Sequence, residues 1–182
     1  MLGLCLVLLG IVYPTVIFLA GQAIFPHQAN GSLIKDGKRI IGSELIAQEF
    51  SLPQYFQPRP SAVAYDPSSS GGSNLAPTAS KLVANYRDRI RTLKDQNGAT
   101  REKIPVELVS TSASGLDPHI SLGAALWQVP RIASLRNLSR EELEELVLRN
   151  AQASLFGFFG EWRVNVLALN LQLDQLGKRE ER

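Results

Sequence analysis

The polar segment 110–121 holds the side chains best suited to covalent chemistry, among them Ser112, Ser114, Asp117 and His119. A serine nucleophile needs a base, and the base needs an orienting carboxylate, so these residues could form a hydrolase triad. The spacing argues against a triad, because its three members would lie within about eight residues and no Gly-x-Ser-x-Gly sequence is present. A membrane-tethered serine hydrolase is therefore only an alternative, and Asp117-Pro118 is interpreted as the start of a helix.

Metal and thiol chemistry have little support in the sequence. The only histidines, His27 and His119, lie far apart in the chain, and no pattern of carboxylates accompanies either of them. Cys5 is the only cysteine, so the chain can form neither an internal disulfide nor a cysteine-based zinc site. We predict no catalytic residue, no metal ligand and no firmly bound cofactor.

A phosphate cradle is conceivable at residues 70–74, which read Ser-Gly-Gly-Ser-Asn. Successive backbone amides in such a loop can form a nest for an anion. The loop is not followed by Gly-Lys-Ser/Thr, so it offers neither a lysine for phosphate nor a hydroxyl for magnesium. A free nucleotide-binding module is the second alternative, and an ordinary packed loop is the favoured interpretation.

The apolar run Leu2–Phe25 dominates the N-terminal part, and no charged side chain precedes Lys35. At about 1.5 Å per residue the run slightly exceeds a hydrocarbon core of about 30 Å, which predicts one tilted transmembrane helix. Pro14 predicts a kink, and Thr15 could bond a carbonyl that the proline leaves free. A cleaved signal peptide is the alternative, disfavoured because the run is long and no basic residue precedes it.

The 19 basic and 17 acidic residues give a net charge of +2 and are interspersed, which excludes a nucleic-acid footprint. We assign residues 1–26 to the transmembrane helix and residues 27–182 to one soluble domain. The Pro-, Ser- and Gly-rich stretch of about 53–77 is predicted to be an ordered loop, because Tyr55, Phe56 and Tyr65 require burial.

Hydrophobic spacing predicts that this domain is α+β, with a small sheet and several helices. The predicted helices cover 44–50, 78–96, 118–135 with a bend at Pro130, and the stretch from the capping box at Ser139 onward. The predicted strands are a hairpin over 32–41 with a type I′ turn at Asp36-Gly37, a strand over 104–109 and a strand over 163–174.

Two further predictions concern burial. The aromatic residues of the C-terminal third are assigned to the core, namely Phe156, Phe158, Phe159 and Trp162. Gln128 and Arg131 lie near the predicted bend, where they could form a polar contact but are expected at the surface.

Taken in order, several short motifs resemble the C subunit family of the bacterial Kdp potassium-transporting ATPase. They are Pro-Arg-Pro-Ser at 58–61, Ser-Gly-Gly-Ser-Asn-Leu at 70–75, Ser-Ala-Ser-Gly-Leu-Asp-Pro-His-Ile-Ser at 112–121, Gln-Val-Pro-Arg at 128–131, Arg-Val-Asn-Val at 163–166 and Leu-Asn-Leu at 169–171. Each motif alone is weak, but their order behind one apolar span is specific. The matching residues are Arg59, Pro60, Ser61, Gly71, Gly72, Ser73, Asn74, Ser114, Gly115, Asp117, Gln128, Arg131, Asn165 and Asn170.

This resemblance implies an accessory subunit of a high-affinity potassium pump. Its partners would be a channel-like potassium-binding subunit, a P-type ATPase subunit and membrane lipid, with ATP and potassium acting at the level of the complex. The family is described as a catalytic chaperone for ATP use, which makes Ser112, Ser114 and Gln128 nucleotide-binding candidates. The resemblance also implies a single pass through the bacterial inner membrane with an extracytoplasmic domain, whereas basic residues after the span weakly favour the opposite orientation.

Overall fold

The computed structural model describes residues 1–98, 103–153 and 160–180. Its contacts divide the chain into two compact units, Met1–Leu45 and Ile46–Arg182. Helices and small antiparallel sheets are both present, so the α+β prediction is confirmed. The assignment of residues 27–182 to one soluble domain stays a prediction.

The first unit begins with one apolar helix over Leu2–Ile24, long enough to cross a membrane. It consists of α1 (Leu2–Val7), a π-helical segment (Leu8–Val12) and α2 (Tyr13–Ile24). The wider π turn comes immediately before Pro14, where the proline lacks a backbone donor. The Thr15 hydroxyl donates to the Ile11 carbonyl at 2.7 Å, whereas the carbonyl that lies four residues before Pro14 belongs to Gly10, so the predicted bond to a freed carbonyl stays a prediction.

A short helix and a hairpin complete this unit. They are α3 (Pro26–Ala29), β1 (Leu33–Asp36) and β2 (Arg39–Ser43). The hairpin is confirmed, but the predicted type I′ turn is wrong, because Asp36 pairs with Arg39 and the loop is Gly37-Lys38. Of these two residues only Gly37 has a positive φ, which is the type II′ arrangement.

The predicted helix over 44–50 is wrong. Residues 44–46 form a turn, and a stretch without regular secondary structure follows. The Ser43 hydroxyl does accept a bond from the Leu45 amide, at 3.1 Å, but it caps only this turn. Leu45 is exposed and Ala47 is buried, so the apolar residues are not aligned on one helical face.

Three helices and one helical turn build the larger part of the second unit. They are α4 (Ser80–Asn97), a 3₁₀ turn (Val106–Leu108), α5 (Leu122–Arg136) and α6 (Arg140–Asn150). The predicted helix over 78–96 is confirmed within two residues, and Gly98 follows it with φ +70°. The capping box is also confirmed, since Ser139 and Glu142 each bond the other's backbone amide.

Helix α5 begins later than predicted, because Asp117-Pro118 does not cap it. Ser121 is the N-cap and accepts a bond from the Ala124 amide at 3.1 Å. The helix continues through Pro130 to Arg136, and the bend stays a prediction. Residues 119–121, which end at this cap, form a strand instead of a first helical turn.

The sheet of the second unit has three short antiparallel strands, in the order β3 (His119–Ser121), β5 (Arg163–Asn165) and β4 (Ala151–Gln152). Its centre is fully buried, and there Val164 lies opposite both Ile120 and Ala151. The strand predicted over 104–109 is wrong: Val106 is 78% exposed, and local bonds close a 3₁₀ turn instead.

The last predicted strand ends much earlier than expected. β5 stops at Asn165, and α7 (Val166–Glu180) follows directly. Val166, Leu169, Asn170 and Leu173 are all buried, and their spacing of three and four residues is helical. The alternating leucines therefore fit a helix as well as a strand, and leucine favours helices.

The predicted aromatic core is wrong for Trp162, which is 51% exposed. Residues 156, 158 and 159 lie outside the described residues. The core instead is formed mainly by aliphatic side chains of α5, α6, α7 and the sheet, together with Phe56 from the loop over 53–77.

Candidate functional site

The main-chain groups of residues 54–57 are bound by side chains of α5 and α7. The Asn170 amide accepts from the Phe56 N–H and donates to the Phe56 carbonyl, both at 2.9 Å. The Gln128 amide does the same for the next residue, accepting from the Gln57 N–H at 2.8 Å and donating to its carbonyl at 3.1 Å. Two primary amides therefore hold this loop as a neighbouring β-strand would.

Two arginines of α5 bind the residues just before these. Arg131 donates to the Tyr55 carbonyl at 3.2 Å, and Arg136 donates to the Gln54 carbonyl at 3.0 Å. Arg136 also forms an ion pair with Asp174 of α7 at 2.8 Å. We call Gln128, Arg131, Arg136 and Asn170 the backbone clamp.

Arg131 is the most deeply buried cation of the clamp, with 4% of its surface exposed. Its guanidinium also donates to Asn97 Oδ1 at 2.7 Å and to Gln128 Oε1 at 2.8 Å. Burial lowers the pKa of Arg131 from 12.5 to about 10, so the side chain remains cationic at neutral pH. The predicted surface position of Gln128 and Arg131 is wrong, because their hydrogen-bonding groups are needed in the interior.

A second group of motif residues joins two loops through glycine. The Gly71 N–H donates to the Ser114 carbonyl at 2.8 Å, and the Ser70 hydroxyl donates to the same oxygen at 3.1 Å. Gly115 has φ +70°, and a Cβ there would lie 2.6 Å from Val63 Cγ2 and 2.8 Å from the Gly71 oxygen. The absence of a side chain at Gly115 therefore allows its loop to pack closely on the 70–74 segment.

An ion pair continues this loop junction. Arg59 donates to Asp117 Oδ2 at 3.1 Å, and Asp117 Oδ1 accepts from the His119 N–H at 3.0 Å. The Tyr65 hydroxyl donates to the Arg59 carbonyl at 2.9 Å. Burial, with a contribution from the Glu49 charge, raises the pKa of Tyr65 to about 12, so its phenol remains a donor at neutral pH.

The other motif residues also have structural contacts or positions. The Ser61 hydroxyl accepts from the amides of Val63 and Tyr65, at 3.1 and 3.0 Å. The Pro60 carbonyl accepts from the Ser112 amide at 3.1 Å, and Asn165 Oδ1 accepts from the Ala168 amide at 3.1 Å at the start of α7. The remaining members lie in the 70–74 loop: Gly72, where a Cβ would come 3.2 Å from the Ala113 oxygen, half-buried Ser73, and Asn74 with φ +50°.

The residues of the hydrolase alternative are close in sequence but do not form a triad. The Ser114 hydroxyl accepts from the Leu116 amide at 3.1 Å, and among the described residues no hydrogen bond joins Ser112 or Ser114 to His119. His119 Nδ1 lies 3.9 Å from Asp117 Oδ1, beside a polar cleft of about 220 Å³ that Arg163 also lines. Burial and the Arg163 charge lower the pKa of His119, which favours the neutral ring.

The motifs identified some members of these networks, and other members went unrecognised. The motifs contain Gln128, Arg131 and Asn170, although nothing in their spacing indicates that they bind one loop. Tyr55 was expected to be buried, but nothing in the sequence linked it to Arg136 or Asp174, although the Arg136 guanidinium lies 4.6 Å from the centre of the Tyr55 ring while pairing with Asp174. Long-range contacts of this kind depend on the packing of the loop and cannot be inferred from local periodicity.

One described helix long and apolar enough to cross a membrane, followed by a mixed α+β unit, is the arrangement expected of the class of membrane-anchored proteins. Residues 1–175 match the family model described as KdpC, the c chain of the K⁺-transporting ATPase, so the chain belongs to the KdpC family.

The chain is also similar to curated proteins named as KdpC subunits, over most of the length of each. The chain is 49% identical over 170 residues to the potassium-transporting ATPase KdpC subunit of Methylococcus capsulatus, covering 92% of this chain and 90% of the relative. It is 51% identical over 172 residues to the protein of the same name from Acidobacterium capsulatum, with 93% and 91% covered. The corresponding values for Burkholderia orbicola are 48% over 168 residues, with 91% and 87% covered.

Proposed function

We propose that this chain is a non-catalytic accessory subunit of a high-affinity, ATP-driven potassium pump. The observation that carries the proposal is the family match over residues 1–175. The internal bonding of the motif residues supports it, because Gln128, Arg131 and Asn170 hold a loop in place and have no contact with the exposed cleft at His119. The partners in this proposal are a channel-like potassium-binding subunit and a P-type ATPase subunit.

The proposed location is the bacterial inner membrane, crossed once by the helix over Leu2–Ile24. An 18-residue window of this helix has a mean hydropathy of 2.5 and contains no buried residue within the described structure, which supports a lipid or protein environment for the helix. We place the soluble domain, residues 27–182, outside the cytoplasm. A domain on that side supports the pump through assembly with the other subunits.

The proposed effect on ATP use is indirect. ATP is cytoplasmic, so an extracytoplasmic domain cannot touch it, and binding of this subunit would instead favour one conformation of the pump. Direct contact by Ser112, Ser114 or Gln128 is the competing proposal and requires the opposite orientation. The three hydrogen bonds of the Gln128 amide to Gln57 and Arg131 support the indirect mechanism.

Deletion of Leu2–Phe25 tests the accessory role. We expect the shortened chain to be lost from the purified pump, and potassium-stimulated ATP hydrolysis to fall, because the tether that brings the domain to its partners is gone. The full chain prepared in parallel is the control. Unchanged hydrolysis by a pump containing only the shortened chain would contradict the proposal.

Two measurements address the alternatives. Calorimetry of the full chain with Mg-ATP is expected to show no binding at about millimolar concentration, a range in which even weak sites are detected. A binding signal that Ser112→Ala and Ser114→Ala remove would instead favour direct contact. The hydrolase alternative predicts that Ser114→Ala abolishes turnover, whereas an assembly subunit would lose activity only in part.

A further inference from the structure

The tip of the hairpin in the first unit is basic and exposed. Lys35, Lys38 and Arg39 are all exposed, and Asp36 is the one acidic residue among them. None of the three cations belongs to an ion pair within the described ranges 1–98, 103–153 and 160–180. Their charge is therefore available to an anionic partner.

The base of this hairpin is tied to the end of the apolar helix. The Asn30 amide donates to Gln22 Oε1 in the last turns of α2, at 3.0 Å. The Ser32 amide donates to the His27 carbonyl at 3.0 Å, and the Ser43 hydroxyl donates to the Gly31 carbonyl at 2.7 Å. These bonds fix the start of β1 and the end of β2 beside the point where the helix leaves the membrane.

The length of the strands limits how far the charges can lie from that point. A strand as short as β1, Leu33–Asp36, extends about 14 Å from base to tip. The headgroup region adds about 6 Å beyond each side of the hydrocarbon core, and charges act over a further Debye length of about 8 Å. The length of the strand is comparable to the sum of the headgroup depth and the Debye length, so the basic tip lies within range of the surface charge of the membrane.

The hairpin is a small element that carries an apolar side chain among its cations. β1 and β2 form a sheet of two strands, which is marginally stable by itself. Ile40 lies opposite Lys35 and is 55% exposed, so an apolar side chain accompanies the cations. Basic and apolar groups side by side are suited to the boundary between headgroups and acyl chains.

We propose that the hairpin tip is a binding site for anionic phospholipid headgroups, with Arg39 and the two lysines as the phosphate-binding groups. This inference rests on the proposed membrane anchoring of the helix. It assigns the lipid contact of the chain to a folded element beside the span, in addition to the span itself.

The test uses the full chain reconstituted in mixed phosphatidylglycerol and phosphatidylcholine vesicles, with spin-labelled lipids of either kind as probes. We expect the protein-associated population to favour phosphatidylglycerol by roughly two- to five-fold at low salt, and this preference to fall toward one at about 0.5 M salt. The triple variant K35Q/K38Q/R39Q is expected to bring the ratio close to one.

The matched control is K81Q/R91Q/K94Q, which removes the same charge from exposed positions of α4 in the second unit. We expect it to keep the wild-type ratio. A wild-type ratio near one, or an equal fall in both variants, would overturn the proposal. Alkaline extraction of the same vesicles shows separately whether the helix is inserted, so a failure of anchoring is distinguished from a failure of headgroup binding.

Discussion

Gln128 and Asn170 each use both ends of one amide to bind both backbone groups of one loop residue. Asn170 thereby satisfies the buried N–H and C=O of Phe56, and Gln128 satisfies the half-buried N–H and C=O of Gln57. Gln128 in addition accepts from Arg131, so one oxygen serves a peptide and a buried cation. Removing such a side chain leaves several polar groups without a partner at once.

Gln128→Met is expected to lower the free energy of unfolding by about 2–4 kcal/mol. The apolar side chain has a similar length, but it leaves the Gln57 N–H and carbonyl unpaired and removes one acceptor of Arg131. Chemical denaturation of the full chain in detergent measures the change. The control Gln175→Met, at an exposed position of α7, should change stability by less than about 0.5 kcal/mol. Equal effects of the two substitutions would contradict the role of the clamp.

His119 predicts a pH dependence of stability. Its pKa is lowered in the folded chain by burial and by Arg163, against the opposing effect of Asp117, so the unfolded chain binds a proton more readily. The stabilisation is therefore complete above a pH of about 6.5 and is lost as the pH falls through the lowered pKa. Melting temperatures of the wild type and His119→Asn at pH 7 and pH 5 measure this loss. We expect the decrease between the two pH values to be smaller in the variant, and an identical decrease would contradict the prediction.

At this scale the sequence located important residues without their partners. Gln128, Arg131 and Asn170 belong to the motifs, but polar side chains of this kind are usually exposed. All three are buried because they bind a loop that is distant in sequence, more than 70 positions away in the case of Gln128. The reach of Arg136 to Gln54 is equally remote. Only the packed structure shows which carbonyls lie within their reach.

At the scale of elements, the junction of the 70–74 and 112–117 loops depends on the absence of a side chain at Gly115. We expect Gly115→Ala to lower the free energy of unfolding by at least about 2 kcal/mol, because the new Cβ would collide with Val63 and Gly71 and the residue has a positive φ. Thermal unfolding of the full chain measures the loss.

Gly123→Ala is the matched control for this substitution. Gly123 lies in the first turn of α5, and its Cβ would have an ordinary contact of 3.8 Å with the Ser121 hydroxyl. Alanine favours a helix over glycine by up to about 1 kcal/mol, so stability should stay equal or rise. A similar loss in both variants would show that close packing at Gly115 is not the cause.

The elements that were predicted well are those with strong local signals. The apolar stripe with its glycine end defines α4, and the reciprocal bonds of Ser139 and Glu142 define the start of α6. The errors occur where one stretch of sequence is compatible with two local structures. The alternating leucines of α7 fit a strand as well as a helix. Asp117 and Ser121 are both suitable N-cap residues, and the structure begins α5 after Ser121.

At the scale of the whole molecule, the side of the membrane on which the second unit lies decides between the two mechanisms for ATP use. Cys5 is the only cysteine, so Cys5→Ser with Ser69→Cys creates a single thiol in the exposed part of the proline-rich loop. We expect a membrane-impermeant maleimide to label this thiol in intact spheroplasts. Wild-type Cys5, within the span, is the control and should stay unlabelled.

Labelling only after lysis would place the loop in the cytoplasm and would contradict the indirect mechanism. The sequence predicted the span and the family but left two orientations, because the basic residues after the span favour a cytoplasmic domain whereas the family resemblance implies an extracytoplasmic one. The basic residues that would favour a cytoplasmic domain are the same hairpin residues for which we propose a contact with lipid headgroups. Sidedness therefore has to be measured.

The backbone clamp has a practical consequence for probe design. It recognises peptide groups, which every amino acid except proline provides in full, and is therefore indifferent to the chemical identity of the residue that carries them. Position 57 can accordingly accept an unnatural fluorescent amino acid while its main chain stays fixed to α5. A reporter placed there would sense the surroundings of this loop within the second unit, without a flexible linker to blur its signal.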